Sequence, residues 1–226
     1  MRSQQSGFTL VEIAIVLVII GLLLGGILKG QELINSAKVK NLANDFRVIP
    51  TYIYAYQDKF KALPGDDVNA NAHAGGTNAT TPAGKQGNGV IDGAWNTPTQ
   101  TDESLLFWQH VRMANLASGP TSATDSNYIP KNALGGDIGI SSATPAQLQI
   151  AGMSGTYQVC SRGILGKFVK QLDTQMDDGE PCTGSLRAVP DGSALGATPV
   201  KSALAPASCT GVAIDDATPY TVCMTF

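Results

Sequence analysis

The alternation of apolar and polar positions changes character once in the first quarter of the chain. From Phe8 to Leu28 there are 21 residues with one charge, Glu12, about the length that crosses a hydrocarbon core of roughly 30 Å. From Lys29 to about Ala62 the apolar residues Val39, Leu42, Phe46, Ile49, Ile53, Tyr56 and Phe60 recur at steps of three and four, which paints one stripe on a helix. The pattern predicts a single helix over 8–62, with 8–28 transmembrane and the stripe packed on a sheet. Lys38, Asn41, Asp45 and Asp58 would face solvent or a neighbouring chain. Pro50 removes one helical hydrogen bond and favours a bend. Gly21, Gly25, Gly26 and Gly30 loosen the helix where it leaves the membrane, each by roughly 1 kcal/mol against alanine. Ala62-Leu63-Pro64-Gly65 ends it, because X-Pro disfavours the helical region.

Beyond the helix the periods shorten. Val68 to Thr101 reads as a long loop of small polar residues. Asp102 to Leu116 predicts a second helix, capped by Thr101 or Asp102 and buried through Leu105, Leu106, Trp108, Val111, Met113 and Leu116. Ser118 to Pro145 reads as loop. Leu148–Ile150, Gly155–Cys160, Leu186–Val189 and Tyr220–Phe226 alternate as strands do, and Gly166–Asp173 leans to helix. The expected class is α+β: a long N-terminal helix on a small antiparallel sheet, with long loops.

The apolar run is longer than a secretory core, and no small-residue cleavage site closes it, since Lys29-Gly30-Gln31-Glu32 follows. An acid inside such a segment is costly and marks a functional site with a partner to be found. The frame Arg2, then Gly7-Phe8-Thr9-Leu10-Val11-Glu12 ahead of the apolar run, resembles the N-terminus of type IV prepilins and type II secretion pseudopilins over roughly the first 60 residues. The resemblance implies cleavage after Gly7 by a prepilin peptidase, methylation of the new amino terminus at Phe8, and pairing of Glu12 with the N-terminal amine of a neighbouring subunit in a helical filament. It implies a leader over 1–7, the pilin helix over 8–62 and a globular head over 63–226. The implied partners are further copies of the chain, other pilins, the peptidase and an inner-membrane assembly platform. The implied place is the bacterial inner membrane, single-pass with a periplasmic head, and the exterior once assembled.

Composition bounds the rest. The 226 residues are 43% hydrophobic and 15% charged, enough for one membrane helix and one ordinary domain. The net charge of −3 becomes −4 if Met1–Gly7, carrying Arg2, is removed. No basic patch for phosphates stands out, so no nucleic-acid partner is expected. Lys29, Lys38, Lys40 and Arg47 follow the span and only Arg2 precedes it, so the positive-inside rule points the other way; the orientation rests on the resemblance and the cysteines. Cys160, Cys182, Cys209 and Cys223 have no paired zinc spacing and suit an oxidising compartment. Of the three possible pairings, Cys160 with Cys182 and Cys209 with Cys223 would each close a local loop.

No enzyme signature is present: G-x-S-x-G, H-E-x-x-H and a Walker loop are all missing. Gly87-Asn88-Gly89-Val90-Ile91-Asp92-Gly93 satisfies neither a dinucleotide fingerprint nor an EF-hand. No cofactor is expected from the residues; the resemblance implies calcium as a possible ligand of a head loop, for which Asp173, Asp177 and Asp178 are the more concentrated oxygen group and Asp66, Asp67, Asn88 and Asp92 a looser one. The reading is a structural subunit of a type IV pilus or type II secretion pseudopilus. The alternatives are a membrane-anchored periplasmic binding module that does not polymerise, and an anchored hydrolase using His110.

Overall fold

In the computed structural model, which describes Gly7 and residues 9–226, the helical stripe is buried as its spacing requires. Helix α1 runs Leu10–Phe60 through Pro50 and all four glycines. Val39, Leu42, Phe46, Ile49, Ile53 and Tyr56 are each at most 4% exposed, and Phe60 is half-buried. Of the opposite face, Asn41 and Asp58 are exposed, while Lys38 and Asp45 are half-buried. The helix stops where Lys61 turns into the left-handed region at φ 57°, three residues before Pro64.

The chain divides into two compact units, residues 1–38 and 39–226. In the first unit, every described residue from Thr9 to Lys29 is exposed. The second unit holds the rest of α1, α2 (Ala70–Ala74), α3 (Glu103–Met113), β1 (Ile138–Ser142), β2 (Tyr157–Leu165), α4 (Gly166–Met176), β3 (Leu186–Pro190) and β4 (Pro219–Thr225). The four strands form one antiparallel sheet in the order β1-β2-β4-β3. The stripe of α1 shares one core with Ile138, Ile140, Val159, Ile164, Leu186, Ala188, Tyr220 and Val222 from all four strands. The α+β class expected from the pattern is what the chain adopts.

Several local expectations change. β1 lies in a stretch read as loop: its alternation is only Ile138-Gly139-Ile140, and Gly139 is required because a Cβ there would collide with the Trp95 carbonyl. The 148–150 segment is no strand. A turn closes on it, with the Leu148 N–H donating to the Thr144 carbonyl at 3.0 Å, and Ile150 makes one isolated bridge to Ala197. Asp102 sits at the N-cap of α3 but does not cap it; its carboxylate accepts the Thr81 hydroxyl and, at 2.6 Å, that of Thr97. The long loop after α1 contains α2, which carries His73.

The sheet edges are covered. The Ala188 N–H donates to the Pro181 carbonyl at 3.1 Å and the Val200 N–H to the Ala188 carbonyl at 2.8 Å along β3, while the Ser142 N–H meets the Ile91 carbonyl at 3.0 Å beside β1. Loops of the same chain therefore occupy the positions through which an open strand recruits others.

Candidate functional site

At the N-terminus, Gly7 is exposed; the other leader residues, Met1–Ser6, and Phe8 lie outside the described residues. Thr9 directly precedes α1, and Glu12 is the third helical residue. The Glu12 Oε2 accepts the Thr9 N–H at 2.7 Å and the Thr9 hydroxyl at 2.7 Å, and the Thr9 Oγ1 accepts the Glu12 N–H at 3.3 Å. This is a reciprocal capping box, T-x-x-E, satisfying donors that a helix start leaves open. The acid expected to await a cation is thus already engaged within its own chain. The signal was present in Thr9-Leu10-Val11-Glu12 and is a second reason for an acid at that position. The apolar window downstream, with mean hydropathy 2.8, is wholly unburied by the chain itself, and side chains built on Gly21, Gly25, Gly26 or Gly30 would meet open space.

The head engages its histidines and loop acids in its own framework. His110 is 0% exposed; its Nδ1 accepts the Gly65 N–H at 2.8 Å and its Nε2 lies 2.8 Å from the Thr77 carbonyl. Burial holds its pKa below the usual imidazole value, against the Thr77 carbonyl and the Asp67 charge. With both nitrogens bound to backbone, His110 has no face for general-base work. Trp108 beside it is a packing residue, 4% exposed with its ring edge-on to Phe107 at 5.1 Å.

Asp67 accepts the Tyr56 hydroxyl at 2.8 Å, His73 Nδ1 at 2.7 Å and the Asn69 N–H at 2.9 Å. Burial alone would raise its pKa, but these bonds hold it below the usual carboxylate range. Asp66 accepts the N–H groups of Gly89 at 2.8 Å and Asn88 at 3.2 Å, together with that of Gly87. The glycines at φ 75° and 80° turn the loop so that consecutive N–H groups cradle an anion, here a carboxylate of the same chain. Asn88 donates to Asp92 at 2.8 Å. Asp66 is held by backbone N–H groups, Asp67 chiefly by the Tyr56 and His73 side chains and Asp92 by the Asn88 amide, and among the described residues the four do not form a common ligand set. Asp66, Asp67 and His73, with Phe60, Lys61, Gly87 and others, line an open pocket of about 720 Å³.

All four cysteines are paired, but not as loop closure suggested. Cys160 joins Cys223 and Cys182 joins Cys209, with Cα–Cα distances of 4.1 and 6.0 Å. Cys160 and Cys223 are direct partners in the β2–β4 ladder, so the long-range strand pairing decides the connectivity and leaves neither residue for a nearer partner. Asp173, Asp177 and Asp178 do converge, with one oxygen of each within 4.8 Å of the others.

Residues 2–28 match the family described as the prokaryotic N-terminal methylation motif, the prepilin-type cleavage and methylation segment of type IV pilins and pseudopilins. No curated protein and no solved structure matches the chain. The apolar helix and this segment fit a membrane-anchored, single-pass protein, and the segment implies processing by a prepilin peptidase and assembly with other pilins in general.

Proposed function

We propose that the chain is a structural subunit of a type IV pilus or type II secretion pseudopilus, cut after Gly7, methylated at Phe8 and packed into a filament by its N-terminal helix. The observation that carries the reading is the prepilin-type segment at residues 2–28 together with the apolar window at the start of α1, which its own chain leaves wholly uncovered. Such a surface needs lipid in the precursor and neighbouring helices in a filament. The subunit performs no chemistry. Its head faces the periplasm, and the exterior after assembly.

Glu12 has two tasks in this account. Through Oε2 it closes the helix start on Thr9. Through its charge it meets the amine exposed at Phe8 of the next subunit, since opposite charges in a low-dielectric filament core fix the stagger between neighbours. The two tasks separate by mutation. Glu12→Gln keeps a side-chain oxygen for the Thr9 donors and removes the charge, whereas Glu12→Leu removes both. Sheared filaments from cells expressing each variant are quantified by immunoblot against the membrane pool. The expected result is normal membrane insertion and a loss of filaments at least ten-fold in both variants. Filaments from Glu12→Leu at the wild-type level would refute ionic docking, and wild-type filaments from Glu12→Gln alone would assign the acid to helix capping.

A further inference from the structure

Asp45, Val48, Ile49 and Tyr52 share one face of α1, and Trp108 and Arg112, four residues apart, share one face of α3. With Ile138 of β1 and parts of the 117–130 loop they line a pocket of about 180 Å³. All of it lies in the second unit, residues 39–226, and it owes nothing to the filament reading.

Arg112, in the last turn of α3, is 7% exposed. Its Nη1 donates to the Pro120 carbonyl at 2.8 Å and to the Tyr128 carbonyl at 2.7 Å. The guanidinium stands 5.7 Å from the centre of the Trp108 ring and 5.1 Å from that of Tyr128, within cation–π reach of both. Its Nε is buried without a partner. Gly119, at φ 133°, lets the loop pass over the guanidinium where a Cβ would stand 2.7 Å from Nε. Asp45 is half-buried on the α1 wall. Among the described residues neither Asp45 nor Arg112 has an ion-pair partner, although charges taken out of water are as a rule paired. Burial alone pushes the Asp45 carboxyl up to about 6. Burial also holds Arg112 below the usual guanidinium value, against the Tyr128 and Tyr52 hydroxyls. One pocket thus carries an unmatched cation and an unmatched anion that do not neutralise each other.

We propose that this pocket binds a small zwitterion of the α-amino acid class, with its carboxylate on Arg112, its ammonium on Asp45 and its side chain against Val48, Ile49 and Trp108. With Nη1 spent on carbonyls, the Nε–Nη2 edge of the guanidinium remains, and such an edge meets a carboxylate through two parallel hydrogen bonds. The volume sets the size of the ligand. At about 180 Å³ the pocket far exceeds the roughly 10–15 Å³ that one water needs, and falls short of the roughly 300 Å³ at which sites for drug-sized molecules begin. A simple anion would leave Asp45 unmatched and a simple amine would leave Arg112 so; a molecule carrying both charges answers both.

Two rivals fill the pocket without a ligand: water, or the Asp45 side chain turned onto Arg112. Full-length protein in detergent is titrated calorimetrically with glycine, valine, leucine and phenylalanine, with thermal unfolding in parallel. Leucine is then compared with isocaproate, which lacks its amine, and with isoamylamine, which lacks its carboxylate. The expected result is one leucine per chain, a Tm rise of about 5 °C or more at a hundred-fold excess over Kd, and at least ten-fold weaker binding of both analogues. Asp45→Asn lowers leucine affinity at least ten-fold and leaves isocaproate binding unchanged. Arg112→Lys keeps the charge but loses the fork, and weakens leucine and isocaproate alike; if it fails to fold, Asp45→Asn still decides. The proposal is overturned by no heat and no Tm change with any of the four amino acids at about 10 mM, as either rival requires. It is equally overturned by wild-type leucine affinity in Asp45→Asn, or by isocaproate binding as tightly as leucine, which would mark a plain carboxylate site.

Discussion

Replacing Glu103 by glutamine should flatten the pH dependence of the head's stability. Glu103 is 0% exposed at the first turn of α3, where the helix dipole favours a negative charge. Its Oε2 accepts the Asp92 N–H at 2.8 Å and its Oε1 is buried without a partner. Burial outweighs that hydrogen bond and, with Asp66, Asp92 and Asp102 nearby, pushes the carboxyl from an ordinary 4.5 up to about 7. Because the folded value lies above the unfolded one, this group's contribution is fully present below pH 4.5 and is lost as pH rises through 7. At 1.36 kcal/mol per pH unit, the loss by pH 8 is about 3 kcal/mol. Asp45, raised by burial to about 6, and Asp173, at about 7, tilt stability in the same direction. Glutamine keeps an oxygen for the Asp92 N–H but places an unpaired amide nitrogen where Oε1 was, costing about 1 kcal/mol at every pH. Urea unfolding of the full chain in detergent at pH 5 and pH 8 reads the difference. Wild type should lose stability over that interval, and Glu103→Gln should lose about 2.5 kcal/mol less, because part of the group's contribution is already gone at pH 5. An identical pH slope in the two proteins would refute the assignment of a buried, proton-retaining carboxyl.

The remaining predictions address the staples and the histidine. A non-reducing proteolytic map should recover Cys160 linked to Cys223 and Cys182 linked to Cys209; peptides joining Cys160 to Cys182 would refute the strand register. With sequence separations of 63 and 27 residues, removing the first bond should cost about 4 kcal/mol and the second about 3.5 by loop-closure entropy, measured as denaturant midpoints of the two double-serine variants. His110→Ala strands the Gly65 N–H and the Thr77 carbonyl in the interior, so it should lower unfolding stability by about 3 kcal/mol. Unchanged stability would mean that those two bonds do not hold the loop.

How much of this was readable beforehand follows from where each signal lives. The α1 stripe from Val39 to Tyr56 needs only a 3.6-residue period, and the frame around Gly7 and Glu12 only local order, so both were legible. β3 and β4 were legible because apolar and β-branched residues alternate in them. β1 was not, since Ile138-Gly139-Ile140 becomes a strand only when Trp95 and β2 approach it. The disulfides were misassigned because loop closure is local, whereas the β2–β4 register spans 63 residues. The Thr9–Glu12 box was legible but hidden by the stronger expectation of an intermolecular cation. In the head, Asp173 stands apart from the half-buried Asp177 and the exposed Asp178 only through its burial, which a cluster of acids in a turn does not announce.

The central claim is that residues 2–28 are processed as a prepilin segment. Co-expression of the full chain with a prepilin peptidase, followed by mass spectrometry of the membrane-extracted protein, tests it most directly. The account predicts a new N-terminus at Phe8, heavier by one methyl group, and an intact chain when the peptidase is omitted. An N-terminus still at Met1 with active peptidase present, or a cut beyond Leu28, would contradict it.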